Sequence, residues 1–396
     1  MVTRELVDCL IKSSTVERWT DHVRPFAFTA LGKHAHAMAI AWALGRTAEI
    51  NSLTVDWDYL VRSGLLGLLR SAVLTDIKAD VLRDIADHPE HMARLDAFVS
   101  DALARVLIGS PDSLSANLDG YLRRVVRTDG ERTAMRILRA SGALATAWEF
   151  RCLEGLNTFM PQTALTRLNI HESVARYADV PGMPSLEEPA KGIGRFADLC
   201  GRLRIQTRWS QSPIIPARPV MDHELLVGSL AYCTALDAHP GDSGVAFEAF
   251  FGGLFHDLPE VLTRDIVAPV KRGADLEDVL AHIENERLTD ELRDVLDRRL
   301  SAELRFMVVD EFADKAWSPD PLVPAEGGTE YPRAGTLYPG RLIRECDKFS
   351  AFLEASQSIS FGISSDVLRS ALSWEMDRRV YDFGDLRTAY GPVGSS

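Results

Sequence analysis

The sequence predicts an all-α fold, and two observations carry this prediction. Apolar residues recur at helical spacing through nearly every segment, for example Leu6 and Leu10 near the start and Leu342, Cys346 and Phe349 towards the end. No run of residues alternates convincingly between apolar and polar with a period of two, which is the pattern of a half-buried strand. We therefore expect helices to form almost the whole molecule.

Composition and charge limit the partners. The 396 residues are enough for two domains, each with its own core. Lys and Arg number 44 against 57 Asp and Glu, a net charge of −13, whereas nucleic-acid polymers are bound by clustered cationic side chains. We expect no nucleic-acid polymer as a partner. A small anionic substrate stays compatible, because a metal or one local site can overcome the overall field.

The compartment is predicted from the cysteines and the N-terminus. Five cysteines are scattered without paired spacing, which is typical of buried thiols in a reducing compartment. The first residues, MVTRELVDCLIKSS, include acidic side chains and no long apolar segment. We find neither a secretory signal nor a stretch long enough to span a membrane, and we expect a cytoplasmic protein without a membrane partner.

Two stretches rich in proline and glycine divide the chain. Residues 178–192, ADVPGMPSLEEPAKG, predict a linker between a domain at 1–177 and a second domain at 193–396. A second irregular stretch, residues 317–340, is expected to be an insertion in the second domain. Its length without regular structure indicates a functional lid or a disordered loop, and we favour a lid over the substrate.

The two halves repeat short motifs in the same order. In each half a histidine follows the tryptophan of an Arg-Trp pair, after 15 residues in the first half and 14 in the second. A threonine follows that histidine after 41 residues in the first half and 40 in the second. The last interval, 67 against 84, differs by 17 residues where the second half carries its insertion. The matched positions are Arg18-Trp19, His34, Thr75 and Gly142 in the first half, and Arg208-Trp209, His223, Thr263 and Asp347 in the second.

We therefore predict two tandem copies of one helical unit, the first degenerate. In the first copy the polar centre is lost, because Leu68 to Arg70 match the His256-Asp257 pair and Gly142 matches Asp347. Such a copy keeps its apolar scaffold but has no chemistry.

The most informative stretch is FEAFFGGLFHDLPEVLTRDIVAPVK, residues 247–271. Adjacent His256 and Asp257 can act together only where a helix ends or turns, and Pro259 supplies that break. An alternative explanation is structural: Asp257 could cap a new helix, with Pro259 in its first turn and Glu260 closing a capping box. That alternative leaves His256 unexplained.

Four residues stand in order within or beside apolar helical segments: His223, His256, Asp257 and Asp347. Burying them singly would be expensive. Their convergence on one divalent cation would offset that cost, and imidazole nitrogens with carboxylate oxygens suit Mn, Co, Fe, Zn or Mg. Taken singly, however, each of these residues is more often capped, exposed or hydrogen-bonded than bound to a metal.

This pattern resembles the H…HD…D signature of HD-domain metal-dependent phosphohydrolases. The string HDLPEVLTRDIVAPVK, the upstream Arg208-Trp209 and the helix IRECDKFSAFLEA resemble the YfbR-like 5′-deoxynucleotidase branch, over roughly residues 192–383. The resemblance implies an all-α HD-domain fold, a divalent metal held by the four residues above, and a nucleoside 5′-monophosphate as substrate.

The resemblance also implies roles for single residues. Glu260 would position or deprotonate the attacking water, and Asp265 would be a second catalytic carboxylate. Arg208 would orient the phosphate, and Trp209 would pack on the sugar. The remaining substrate-binding residues that it implies are Asp257, Asp265, Ile266, Val267, Ala268 and Asp347. The segment DIVA lacks the Pro and Thr often seen in this branch, which leaves the sugar and base preference open.

Two other functions stay open at this point. One is a triphosphohydrolase or pyrophosphohydrolase of the same fold, since the site and not the scaffold fixes the substrate. The other is a non-catalytic module that senses nucleotides or binds a partner. The resemblance also implies a dimer, because members of this branch look dimeric. We therefore predict that the two copies within one chain pack against each other as an intramolecular pseudo-dimer.

Overall fold

The computed structural model is almost wholly helical, which confirms the predicted all-α class. It describes residues 2–75, 77–188, 191–264, 276–316, 335–373 and 383–391. In these residues no helix is long and apolar enough to cross a membrane.

The first half is built around two long helices, α2 and α8, which pack on each other. Its helices are α1 (Arg4–Ser13), α2 (Ala30–Ile50), α3 (Trp57–Leu74), α4 (Ala79–Ala86), α5 (Pro89–Val106), α6 (Asp112–Ser115), α7 (Leu118–Leu122), α8 (Asp129–Leu153), a 3-10 turn (Glu154–Asn157) and α9 (Thr163–Ala175).

The second half is built around α11, which packs on both α12 and α16. Its helices are α10 (Gly192–Arg202), α11 (Val220–Ala238), α12 (Ser243–Phe255), α13 (Glu260–Thr263), α14 (Glu277–Leu292), α15 (Arg298–Val308), α16 (Gly340–Ser360), α17 (Asp366–Leu372) and α18 (Gly384–Tyr390).

The described residues also form two small antiparallel sheets of two strands each. The first pairs β1 (Glu17–Arg18) with β2 (Phe28–Thr29), and the second pairs β3 (Asp314–Ala316) with β4 (Leu337–Pro339). Strands of two or three residues are too short to show a period of two, which is why the sequence does not reveal them.

The second sheet corrects the predicted end of the irregular stretch at residues 317–340. Residues 337–339 were expected to be irregular but form β4, and Gly340 already begins α16. Most of the predicted insertion, residues 317–334, lies outside the described residues, and so does the lid hypothesis that rests on it. The stretch between α9 and α10 contains no helix or strand in its described part, and Val180 in it is buried.

The two halves share one hydrophobic core, because α2 packs against α10 and α11. Polar contacts also cross between them: the Thr29 hydroxyl donates to Asp222 Oδ2 at 2.8 Å, and Arg204 Nη2 donates to Glu149 Oε1 at 2.6 Å. These pairs are buried, so the two halves form a single packed body.

Candidate metal centre

Three helices of the second half bring histidines and a carboxylate to one point. His223 lies in the first turn of α11, His256 follows the last residue of α12, and Asp347 lies in the second turn of α16. One ligand atom from each lies within 4.8 Å of the other two. Asp257 completes the predicted four, with Oδ2 3.3 Å from His256 Nε2 and 3.9 Å from His223 Nε2.

A break in the helix presents the His256-Asp257 corner. Helix α12 ends at Phe255, and α13 begins at Glu260 directly after Pro259. The structural alternative, a capping box on Asp257, is wrong: Pro259 is the N-cap residue and no side chain caps α13. The Asp257 carboxylate instead accepts a hydrogen bond from Arg208 Nη1 at 3.1 Å.

Two adjacent glycines allow the three helices to approach closely. A Cβ atom on Gly253 would lie 2.7 Å from Gly228 Cα, so α12 can touch α11 only without a side chain there. A Cβ on Gly252 would lie 2.6 Å from Ile343 Cδ1 on α16. The Gly-Gly pair thereby fixes the distances between the elements that carry the histidines and Asp347.

Both imidazoles turn the same nitrogen towards the centre. His256 Nδ1 lies 2.8 Å from the Gly253 carbonyl oxygen, which can only accept, so Nδ1 carries the hydrogen. His223 Nδ1 lies 3.2 Å from buried Glu354 Oε1 and 3.0 Å from Ser350 Oγ. In both rings Nε2 then points at the carboxylates, with His223 Nε2 3.0 Å from Asp347 Oδ1. Metal-ligating histidines are normally held in this way by a second acceptor.

The electrostatics of the cluster favour a positive charge at its centre. Burial lowers the pKa of His256, but the carboxylates of Asp257, Asp347 and Glu224 outweigh burial and raise it to about 10. Burial raises the pKa of Asp257, but His256 and then Arg208 outweigh it and hold that pKa well below its usual range. Negative charge is therefore in excess around the two Nε2 atoms, and a proton or a cation is drawn to them.

The residues present fit a divalent cation. His256 Nε2 is buried and has no hydrogen-bond partner among the described residues, although its other nitrogen is satisfied. Such an orphaned acceptor beside three further nitrogen and oxygen donors suits a borderline or hard divalent ion. His223, His256, Asp257 and Asp347 are the groups that could hold it.

A buried glutamate that sequence reasoning missed organises the surroundings. Glu354 accepts hydrogen bonds from Trp209 Nε1 at 2.7 Å and from His223, and Arg208 Nε lies 3.6 Å from it. Burial raises its pKa, but His223, Arg208 and Arg218 outweigh burial and lower it to about 2. Glu354 therefore orients both the histidine and the two residues predicted to bind substrate. The available signal was its place on the apolar face of α16, seven residues after Asp347.

A second missed carboxyl is Glu224, which follows His223 on α11 and is almost fully buried. Burial raises its pKa well above the ordinary value; His256 opposes this rise, while Asp257 and Glu260 add to it. A charged residue at a position that the helical pattern makes fully internal was the signal for it.

The predicted catalytic residues divide into described and undescribed ones. Glu260 is buried at the start of α13, and it lies close enough to Glu224 to raise the pKa of Glu224. Asp265, Ile266, Val267 and Ala268 lie outside the described residues, so their predicted roles stay predictions. The described residues contain one other cluster of the same kind, His88, Glu90 and His91, which is exposed.

Comparison with protein families agrees with this geometry. Residues 200–373 match a family model described as an HD domain, a stretch somewhat shorter than half of the chain that includes all four predicted ligands. No curated protein matches the chain. HD domains are typically metal-dependent hydrolases, so the match supports an HD-domain protein with a divalent metal and hydrolase activity.

Proposed function

We propose that the protein is a metal-dependent phosphohydrolase that releases phosphate from deoxynucleoside or nucleoside 5′-monophosphates. The observation that carries the proposal is the shared orientation of His223 and His256, whose Nε2 atoms face Asp347 and Asp257. A second acceptor at Nδ1 fixes each ring in this orientation.

The chain's own groups divide the work of the reaction. The cation, when bound, polarises a phosphoryl oxygen and lowers the pKa of water. Arg208, with an exposed fraction of 15% for its side chain, would donate parallel hydrogen bonds to the phosphate from a guanidinium fixed by Asp257 and Glu354. Glu260 would accept a proton from the attacking water. Positioning and charge neutralisation are most of what phosphoryl transfer requires.

A screen of phosphate release over metals and substrates tests this function. The wild type and Glu260→Ala would be assayed with Mn, Co, Zn, Fe and Mg against nucleoside mono- and triphosphates. We expect phosphate from monophosphates and a loss of about 100- to 10,000-fold in Glu260→Ala, the typical contribution of a general base. Release of pyrophosphate or triphosphate would instead assign the triphosphohydrolase. Tight nucleotide binding without turnover would assign the sensing module.

We further infer that residues 1–177 are a degenerate copy of the second half. The tryptophans of the two Arg-Trp pairs share a rare backbone conformation, with φ of 58° at Trp19 and 59° at Trp209. Each indole N–H donates to a buried glutamate, Trp19 to Glu149 at 2.8 Å and Trp209 to Glu354 at 2.7 Å. Agreement at a conformation this uncommon supports common descent of the two units.

The register of the two halves supports the same inference. Arg18 pairs with Phe28, and the Arg208 amide donates to the Arg218 carbonyl at 2.9 Å, so both pairs span ten residues. Glu149 follows Gly142 by seven residues, as Glu354 follows Asp347. Helices α2 and α11 then begin at equivalent positions, Ala30 and Val220. In this register the counterpart of His223 is Lys33, one residue before the His34 that the motif spacing suggested.

The packing of α2 on α11 supports the pseudo-dimer. These two helices are equivalent in the proposed repeat and lie at the junction of the halves. The Thr29–Asp222 hydrogen bond, between the N-cap residue of α2 and the first turn of α11, reinforces the junction.

A further inference from the structure

The first half contains a cavity of about 240 Å³ between α2, α3, α5, α7 and α8. This volume is near the lower end of the range for small-molecule sites, about 300 Å³. Four cationic side chains line it: Lys33, Arg70, Arg124 and Arg139. The aromatic rings of Tyr59 and Tyr121 supply part of its apolar wall.

The charges of this cavity are poorly balanced. Among the described residues that line it, Asp96 is the one acid, and it lies 4.0 Å from Arg70. Among the described residues, the side chains of Lys33, Arg124 and Arg139 make no hydrogen bond or ion pair, although the chain as a whole carries a charge of −13. Cationic groups gathered in a concave site without partners indicate an anionic ligand.

Lys33 is partly buried in the wall of the cavity, and two of the other lining cations, Arg124 and Arg139, are exposed. A Cβ atom added to Gly142 would lie 3.5 Å from Lys33 Nζ. Burial and then Arg18 lower the pKa of Lys33 to about 8, and the Glu149 carboxylate opposes this shift without outweighing it. In the proposed repeat, Lys33 and Gly142 correspond to His223 and Asp347. A fixed cation thus stands in the first half where the second half gathers ligands for a metal.

We propose that this cavity binds a small phosphate monoester without a metal, with the phosphate at Lys33 and Arg70 and the organic part against Tyr59 and Tyr121. Four cationic side chains around one acidic side chain match a ligand with two negative charges, such as a phosphate monoester, better than a ligand with a single carboxylate. The cavity and its charges are independent of the catalytic proposal, and only the correspondence with the metal centre rests on the proposed duplication.

Calorimetric titration of the full chain in EDTA tests the site. The probes are deoxyadenosine 5′-monophosphate, inorganic phosphate and deoxyadenosine, and EDTA prevents turnover in the second half. We expect the nucleotide to bind at one site per chain and deoxyadenosine not to bind. Lys33→Met should weaken nucleotide binding at least tenfold, and Arg139→Met should weaken it less. Arg132→Met is the matched control for Arg139→Met, because Arg132 also lies on α8, is exposed and does not line the cavity. The affinity of the Arg132→Met variant for the nucleotide should not change.

Gly142→Asp gives a second test if Lys33→Met fails to fold. A carboxylate at residue 142 would pair with Lys33 and should also weaken binding at least tenfold. Equal affinity for inorganic phosphate and the nucleotide would contradict the contact of the organic part with Tyr59 and Tyr121, because the base and sugar would then add nothing to binding.

Three results would overturn the proposal: no binding of any phosphate probe to the metal-free protein, binding unchanged by Lys33→Met and Gly142→Asp, or binding lost in His223→Ala. Phosphatase activity is measured separately, so a failure of the catalytic proposal would be seen independently of this one.

Discussion

The two halves hold a buried glutamate in the same way but surround it with different chemistry. Glu149 accepts hydrogen bonds from Arg18, Trp19 and Arg204, and Glu354 accepts them from Trp209 and His223. In the second half the network continues through His223 to Asp347. Among the described residues, the hydrogen bonds of Glu149 end at Arg18, Trp19 and Arg204, and none of them reaches a histidine.

This difference separates the groups that maintain the fold from those that perform the chemistry. A buried carboxylate and the arginines around it must be kept or replaced together, because removal of one of these side chains leaves an uncompensated buried charge. The ligands beyond it carry no such constraint. A helical unit can therefore lose its metal site and keep its shape, which is what we infer for the first half.

The largest effect is expected from separating the halves. Residues 190–396 expressed alone would expose the face of α11 that is buried against α2, and we expect an insoluble or inactive fragment. Solubility, circular dichroism and phosphatase activity measure the outcome. A stable, soluble and fully active fragment would break the pseudo-dimer interpretation.

The next largest effect concerns the asymmetry between Asp347 and Gly142. We expect Asp347→Asn to reduce phosphatase activity at least about 1,000-fold and to lower the bound metal measured by mass spectrometry, because one anionic ligand is lost. Gly142→Ala in the first half is the matched control and should keep full activity. Activity of Asp347→Asn within tenfold of wild type would contradict the metal-centre assignment.

A moderate effect on stability is expected from Glu149→Gln. Removing one partner from a buried ion-pair network costs about 3–5 kcal/mol, and activity per folded molecule should change little. Urea unfolding measures the loss. Glu172→Gln, at an exposed position of α9, is the control and should stay within about 0.5 kcal/mol of wild type.

The difference in unfolding free energy between wild type and Glu149→Gln should depend on pH, because it depends on the pKa of Glu149. Burial raises that pKa, but Arg18 and Arg204 outweigh burial and lower it from 4.5 to about 2. Because the folded pKa is depressed, the stabilisation is fully present above pH 4.5 and is lost as the pH falls towards 2. At about 1.4 kcal/mol per pH unit this amounts to roughly 3 kcal/mol. A gap between wild type and Glu149→Gln that stays constant across this range would contradict the ion-pair explanation.

The smallest effects are expected from the matched substitutions Trp19→Phe and Trp209→Phe. Each removes one hydrogen bond to a charged, buried glutamate, which costs about 1.5–3 kcal/mol. Thermal unfolding should show similar losses for both. Only Trp209→Phe should also lower kcat/KM, because Glu354 orients His223. Equal losses of activity in the two variants would contradict the division between the halves.

Much of the fold and of the metal centre was predictable from the sequence. Helical periodicity gave the all-α class, and Pro259 after His256-Asp257 correctly indicated a helix end there. The convergence of His223 and Asp347 on this corner was also predictable, because an unpaired polar group in an apolar helix needs a partner.

The remaining features depend on tertiary contacts. Glu224 and Glu354 fall at internal positions of their helices, but the groups that each of them contacts come from distant parts of the chain, and only packing reveals them. The strands are too short to leave a periodic signal. In the proposed repeat, the correspondence of Lys33 with His223 is hidden because His34 stands beside Lys33, and only the helix starts fix the register.

The Gly252-Gly253 pair has a consequence for metal choice. These residues set the gap between three helices, and the gap sets how widely the four donors are spread. Ion selectivity in this protein would then be governed by interhelical distance as much as by ligand chemistry. A single methyl group on Gly253 should widen the spread of the donors and shift the ranking of cations towards larger radii.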